Sequence, residues 1–161
     1  MLPENLSSHP AVTALQAELP GAITGGKTDL DEPTLFINPA QITAVCALLK
    51  KKGFNRLVSI TAVDWHPAPD RFEIVYHLAS TADWSRLRLK YRVSGDQPEA
   101  DSVCSVWRAA DWYEREMFDL FGITFHNHPN LKRILMPEDW EGHPLRKDYP
   151  VHGHKYSYQN E

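Results

Sequence analysis

Cysteine is nearly absent from this chain. Its 161 residues include two, Cys46 and Cys104, and neither belongs to a C-x-x-C pair. An iron–sulfur cluster or structural zinc held by this chain alone is therefore not expected. Both thiols have apolar neighbours, so buried, inert cysteines in a reducing compartment are the expected reading. No run of 18 apolar residues occurs, and no segment is expected to span a bilayer. The opening MLPENLSSHPAV lacks the basic-then-apolar plan of a signal peptide and the Arg-rich character of a transit peptide. Any membrane association should come through another protein. Basic charge is not in excess either: 17 Lys and Arg stand against 21 Asp and Glu, a net charge of −4 that argues against non-specific nucleic-acid binding. Gly-rich phosphate loops and nucleophile motifs are missing too.

What is present is ordinary for a globular chain. Hydrophobic content of 42% and charged content of 24% suffice for one domain with a real core plus a tail. Residues 8–19 read as a helix, with Pro10 in its first turn and Val12, Leu15 and Leu19 on one side. Residues 22–24 read as a short strand, 25–33 as a loop, and 34–37 as a brief β run. Asn38 and Pro39 open a second helix with Ile42, Val45, Cys46, Leu48 and Leu49 as its buried stripe. Lys50, Lys51 and Lys52 complement its dipole, and Gly53 ends it.

Three β runs follow. Leu57 to Trp65 is apolar at nearly every position, as in a central strand covered on both faces. Phe72, Ile74, Tyr76 and Leu78 alternate with their neighbours. Leu87, Leu89, Tyr91 and Val93 alternate with Arg86, Arg88, Lys90 and Arg92. The connections at 66–70 and 80–83 suit antiparallel hairpins. The expected fold class is α+β: a mostly antiparallel sheet with helices packed on one face, followed by an extended C-terminal tail. The basic residues of the last strand fit a solvent face, a face that meets an acidic partner, or a single-strand nucleic-acid platform with Trp84.

Residues 111–121 read as a further helix. Asp111 and Glu114 make a capping-box pattern, Ala110, Tyr113, Met117, Leu120 and Phe121 form an apolar stripe, and Gly122 stands where a left-handed cap is wanted. Arg115, Glu116 and Asp119 fall on another face, where Arg115 and Asp119 can pair. That face is either a solvated surface or a docking surface. Beyond Gly122, Pro129, Pro137, Pro144 and Pro150 favour extended chain. Ile123, Phe125, Leu131, Ile134, Leu135, Met136, Trp140, Leu145 and Tyr149 are nevertheless more apolar than a disordered linker allows. Such a segment wants a surface to lie on, its own domain or another subunit. The expected division is a scaffold domain over 1–122 and a partner-binding tail over 123–161.

The pattern ERE-x-x-DLF-x6-H-x3-K-x-IL is read at Glu114, Arg115, Glu116, Asp119, Leu120, Phe121, His128, Lys132, Ile134 and Leu135. Together with GHPLRKDYP over 142–150, it resembles the signature of the 30-kilodalton (C) subunit family of NADH:quinone oxidoreductase, respiratory complex I. The likeness covers the last third in detail and the remainder in length and layout. It implies a non-catalytic scaffold subunit in the hydrophilic arm of a proton-translocating enzyme, peripheral on the cytoplasmic face of a bacterial membrane. Implied partners are the 49-kilodalton-type (D) subunit and the small iron–sulfur (B) subunit, with FMN, iron–sulfur clusters and quinone held in partners. Equivalent subunits of ferredoxin-dependent dehydrogenases and membrane-bound hydrogenases share the pattern.

The residues expected at the partner interface are the signature charges Glu114, Arg115, Glu116, Asp119, His128 and Lys132, and, in the tail, Arg133, Trp140, Arg146, Lys147, Asp148 and Tyr149. Trp140 and Tyr149 would be anchors, and Arg133, Arg146 and Lys147 opposite Asp148 and Glu138 would set register. Two other chemistries stay open on residue types alone. His126 and His128, on one side of an extended segment, could join His143, His152 or His154 around a metal as in a stand-alone hydrolase. The carboxylates Asp64, Asp70, Glu114, Glu116 and Asp119 could supply an acid/base pair.

Overall fold

A computed structural model describes residues 2–151. His152, His154 and the rest of the terminal segment lie outside them. Five strands form the main sheet: β1 (Ile23–Asp29), β2 (Glu32–Ile37), β3 (Arg56–Asp64), β4 (Phe72–Ala79) and β5 (Arg86–Val93), in the order β1-β2-β5-β4-β3. Every pairing is antiparallel except β2 with β5. The predicted α+β architecture is the one observed. Leu57, Ile60, Phe72, Ile74, Tyr76, Leu78, Leu87, Leu89 and Tyr91 share one face and are buried, because alternate residues of a pleated strand point the same way. The Tyr76 and Tyr91 rings stack at 5.9 Å and share a buried hydroxyl–hydroxyl hydrogen bond of 3.1 Å, so both phenols enter the core with their polar ends satisfied.

The helices are α1 (Glu4–Ser7), α2 (Pro10–Glu18), α3 (Ile42–Lys51) and α4 (Ala110–Phe121), with a 3-10 turn over Pro39–Gln41. His9 caps α2, its Nδ1 accepting from the Ala11 N–H, and Asn38 Oδ1 accepts from the Ala40 N–H. Two short parallel strands, β6 (Glu99–Asp101) and β7 (Thr124–His126), flank α4 in sequence and pair with each other. Buried Val12, Leu15, Ile42, Val45, Leu49, Ala110 and Met117 join the sheet residues in one core. Each large aliphatic or aromatic group buried there contributes about 1.5–3 kcal/mol.

Two expectations fail. The stretch 25–33 is not a loop: β1 continues to Asp29, and the reversal is confined to Leu30 and Asp31, both at positive φ. Gly26 serves close packing instead of a turn. A Cβ there would meet Leu2 Cδ2 at 2.8 Å and both Leu6 Cδ1 and the Thr34 carbonyl at 3.0 Å. The apolar run of β3 is an edge strand, not a central one. Its burial alternates, leaving Val58 and Val63 exposed at 43% and 37%.

Candidate functional site

The family-signature residues gather where α4 ends and the following chain folds back over it. Gly122 takes the left-handed conformation (φ 72°), and its N–H bonds the Phe118 carbonyl at 3.0 Å, as predicted for this cap. A helix end still leaves its last carbonyls without intrahelical donors. Here the returning segment supplies them. His143 Nδ1 donates to the Asp119 carbonyl at 2.8 Å, the Leu145 N–H to Leu120 at 3.0 Å, and Arg146 Nε to Phe121 at 2.6 Å. The His143 imidazole is held below its ordinary pKa, chiefly by burial.

Asp119 is the centre of this clasp and is fully buried. Its Oδ2 accepts from the N–H groups of Ile134, Leu135 and Met136 at 3.0, 2.7 and 2.8 Å, and its Oδ1 accepts from Arg133 Nη1 at 2.7 Å. Burial alone would raise the carboxyl pKa. The three amides and the guanidinium outweigh it and hold the group below the usual carboxylate range. Arg133 reaches on through Nη2 to the carbonyls of Trp140 and Gly142 at 3.0 and 3.1 Å. The expected Arg115–Asp119 pair does not form, because three backbone donors and Arg133 occupy the carboxylate. Arg115 instead donates to the carbonyls of Lys132 and Arg133 and lies over Trp112.

The capping box also fails. The helix begins at Ala110, with Ala109 at its N-cap and no side-chain cap. Glu114 turns inward, where Oε1 accepts from the buried Val103 N–H at 2.8 Å and Oε2 from the Cys104 thiol at 3.4 Å. Burial raises the Glu114 pKa, with the Ser102 and Val103 hydrogen bonds opposing it. Burial also pushes the Cys104 thiol up to about 12, so it is a poor nucleophile.

Cys104, Glu114 and His128 each place one possible ligand atom within 4.8 Å of the others. The hydrogen bonds describe a different kind of cluster. His128 Nδ1 lies 3.0 Å from the Asn130 N–H and must accept there, so the ring proton sits on Nε2, which donates to the Asp111 carbonyl at 3.3 Å. A cation would need the Nε2 lone pair that this tautomer does not offer. His126 does not share a side with His128. Asn127 takes positive φ between them, and His126 meets Glu99 at 3.2 Å on the surface.

A second clasp was not legible in the sequence. Arg71 is buried in the β3–β4 connection and binds Asp64 at 2.8 and 2.7 Å and Asp148 at 2.9 and 2.5 Å. The Lys147 N–H adds a bond to Asp64 Oδ2 at 2.8 Å. For Asp64, burial works upward, but Arg71 and the amides of Lys147 and His66 leave the carboxyl well below its ordinary pKa. The Arg71 guanidinium beside Asp148 lowers that group to about 2. Arg71 and Asp148 are far apart along the chain, and no local pattern couples them.

Of the residues expected at an interface, Glu114, Arg115, Asp119, His128, Arg133, Arg146 and Asp148 thus have partners within the chain. Trp140 is half-buried, and the Tyr149 hydroxyl donates to the Glu141 carbonyl at 3.1 Å. Glu116 and the side chains of Lys132 and Lys147 point outward. Among the described residues no helix is long and apolar enough to cross a membrane.

Comparison with known proteins matches residues 35–155 to the family described as respiratory-chain NADH dehydrogenase, 30 Kd subunit. The C subunit of the NADH-quinone oxidoreductase of Geotalea uraniireducens is 43% identical over 144 residues, covering 89% of this chain and 88% of that protein. The protein of the same name from Trichlorobacter lovleyi is 46% identical over 145 residues, with 89% and 90% covered. Among solved structures, a trypsin-resistant fragment of Nqo5 superposes with a TM-score of 0.61 at 32% identity, covering 66% of this chain and 88% of the fragment. A chain of the membrane-bound sulfane sulfur reductase, an archaeal respiratory membrane complex, gives 0.76 at 27% identity over 87% of this chain and 84% of that one.

Proposed function

Because this chain belongs to the 30-kilodalton subunit family of the respiratory-chain NADH dehydrogenase, we propose that it is a non-catalytic scaffold of that complex's hydrophilic arm. In this role it docks on the 49-kilodalton-type subunit and on the small iron–sulfur subunit, on the cytoplasmic face of the membrane. The partners hold FMN, the iron–sulfur clusters and the quinone, and couple electron transfer to proton translocation. The chain itself binds none of these groups.

One observation carries the reading. The signature carboxylate Asp119 is buried against three backbone N–H groups and Arg133. That arrangement fixes the path of a polar, proline-rich segment and does not present a group to a substrate. A segment held in one conformation before docking loses less entropy on binding, which suits a scaffold.

The test is a mild-detergent purification of the tagged chain from its native membranes with mass spectrometry of what accompanies it. Recovery with a 49-kilodalton-type subunit, an iron–sulfur subunit and an NADH-oxidising flavin subunit is expected. Recovery of the chain alone would overturn the proposal. The likeness to a chain of the sulfane sulfur reductase favours a second reading, an equivalent scaffold in a respiratory complex with a different electron donor. A recovered complex without a flavin-bearing NADH-oxidising subunit would select it.

A further inference from the structure

The face of the main sheet turned away from the core is covered by no helix among the described residues. Strand register places its side chains. Lys27 pairs with Thr34 and Asp29 with Glu32, Thr34 pairs with Arg88, and Ala79 lies between Arg56 and Arg86. Paired residues share a face. The cross-strand bonds agree with this assignment: Arg88 pairs with Glu32, and Glu73 meets Lys90 at 3.0 Å and Arg92 at 3.7 Å. The face therefore carries six cations, Lys27, Arg56, Arg86, Arg88, Lys90 and Arg92, against the three carboxylates Asp29, Glu32 and Glu73. That excess of three positive charges sits in a chain whose net charge is −4.

We propose that this uncovered sheet face docks an acidic protein surface of a neighbouring subunit. The proposal rests on the scaffold reading above and names the surface and the chemistry of its partner. Arg56 and Arg86 are exposed and form no ion pair among the described residues. Exposed Val58 and Val63 lie on the same edge strand. Two grooves open on the face. One, of about 440 Å³, is lined by Arg56, Val58, His77, Trp84 and Arg86, and the other, of about 490 Å³, by Phe36, Glu73, Lys90 and Arg92. An interface rim of uncompensated charge around smaller apolar contacts steers a partner of opposite sign and excludes like-charged ones. Nucleic acid fits the face less well. Carboxylates are interleaved with the cations, where a phosphate backbone would meet repulsion, and Arg92 lies over the Trp65 ring at 5.1 Å, so that side of the indole is closed to a base.

The experiment uses the complex recovered from native membranes. A photo-crosslinking amino acid replaces Thr61 or Val63, both exposed on this face, and a separate variant carries Arg56→Glu with Arg86→Glu. The expected result is a crosslink to a peptide rich in Asp and Glu on another subunit, with about tenfold lower recovery of the charge-reversed chain in the complex. Thermal unfolding of that variant checks that it folds. If it does not, the crosslink decides. A crosslink to RNA, to a basic or uncharged peptide, or to nothing while the chain still co-purifies with its complex would overturn the proposal. Failure of the wild-type chain to co-purify would instead overturn the scaffold reading, and this inference with it.

Discussion

Asp119 and Arg133 stand 2.7 Å apart, and the same carboxylate receives three consecutive backbone N–H groups through its other oxygen. Removing the carboxylate strands a partly buried guanidinium and three amides at once. Asp119→Ala should lower the free energy of unfolding by about 3–5 kcal/mol, the range for breaking a buried pair from one side. Denaturant unfolding checks the magnitude. Hydrogen exchange should show protection lost over residues 134–136 first, and a variant within about 0.5 kcal/mol of wild type would contradict the clasp.

Acid should loosen the same region. The carboxyls of Asp64, Asp119 and Asp148 all lie below their ordinary pKa in the folded chain, Asp148 at about 2. An unfolded aspartate takes up its proton near about 3.9. As pH falls through that value the unfolded state binds protons that the folded state refuses, so stability present above about pH 5 is progressively lost toward pH 2. Stability measured against pH should fall over this window. Arg71→Ala, which releases Asp64 and Asp148, should flatten the slope. An unchanged slope would mean that these carboxyls are not held by Arg71.

Glu114 has the opposite sign. Its folded pKa is raised, so its buried charge opposes folding as pH climbs past the unfolded value near about 4.3. Glu114→Gln removes that cost and keeps an oxygen for the Val103 N–H. Glu114→Ala leaves that buried N–H without its acceptor, at about 1–3 kcal/mol. At pH 7 the Gln variant should therefore be the more stable of the two. Equal stabilities would show that the Val103 bond contributes little.

Gly122 joins helix end and clasp. With φ at 72°, a Cβ would sit 2.6 Å from Arg146 Nη2 and from the His143 ring. Gly122→Ala should cost at least about 1–2 kcal/mol from the backbone alone and displace residues 143–146. Exchange at the Leu145 N–H, which bonds Leu120, reports that displacement.

The sequence by itself determined the local elements: the alternation of β4 and β5, the stripes of α3 and α4, the cap at Asn38, and the stop at Gly122. Each rests on residues within one or two turns of each other, where periodicity and φ preference act. It also carried the family, because two multi-residue motifs stand in order near its end. What it did not contain was the assignment of charges. Arg115 and Asp119 have ideal helical spacing, yet Asp119 takes Arg133 and a run of backbone amides, and Glu114 takes the Val103 N–H in place of a capping role. The run over 57–65 reads as central, and the strand it forms lies at an edge. In each case tertiary structure decided, because a buried polar group must find a partner wherever the fold delivers one, and sheet position depends on which strands pair with one another. Arg71 and Asp148 show this most plainly: only the folded chain brings them to 2.5 Å.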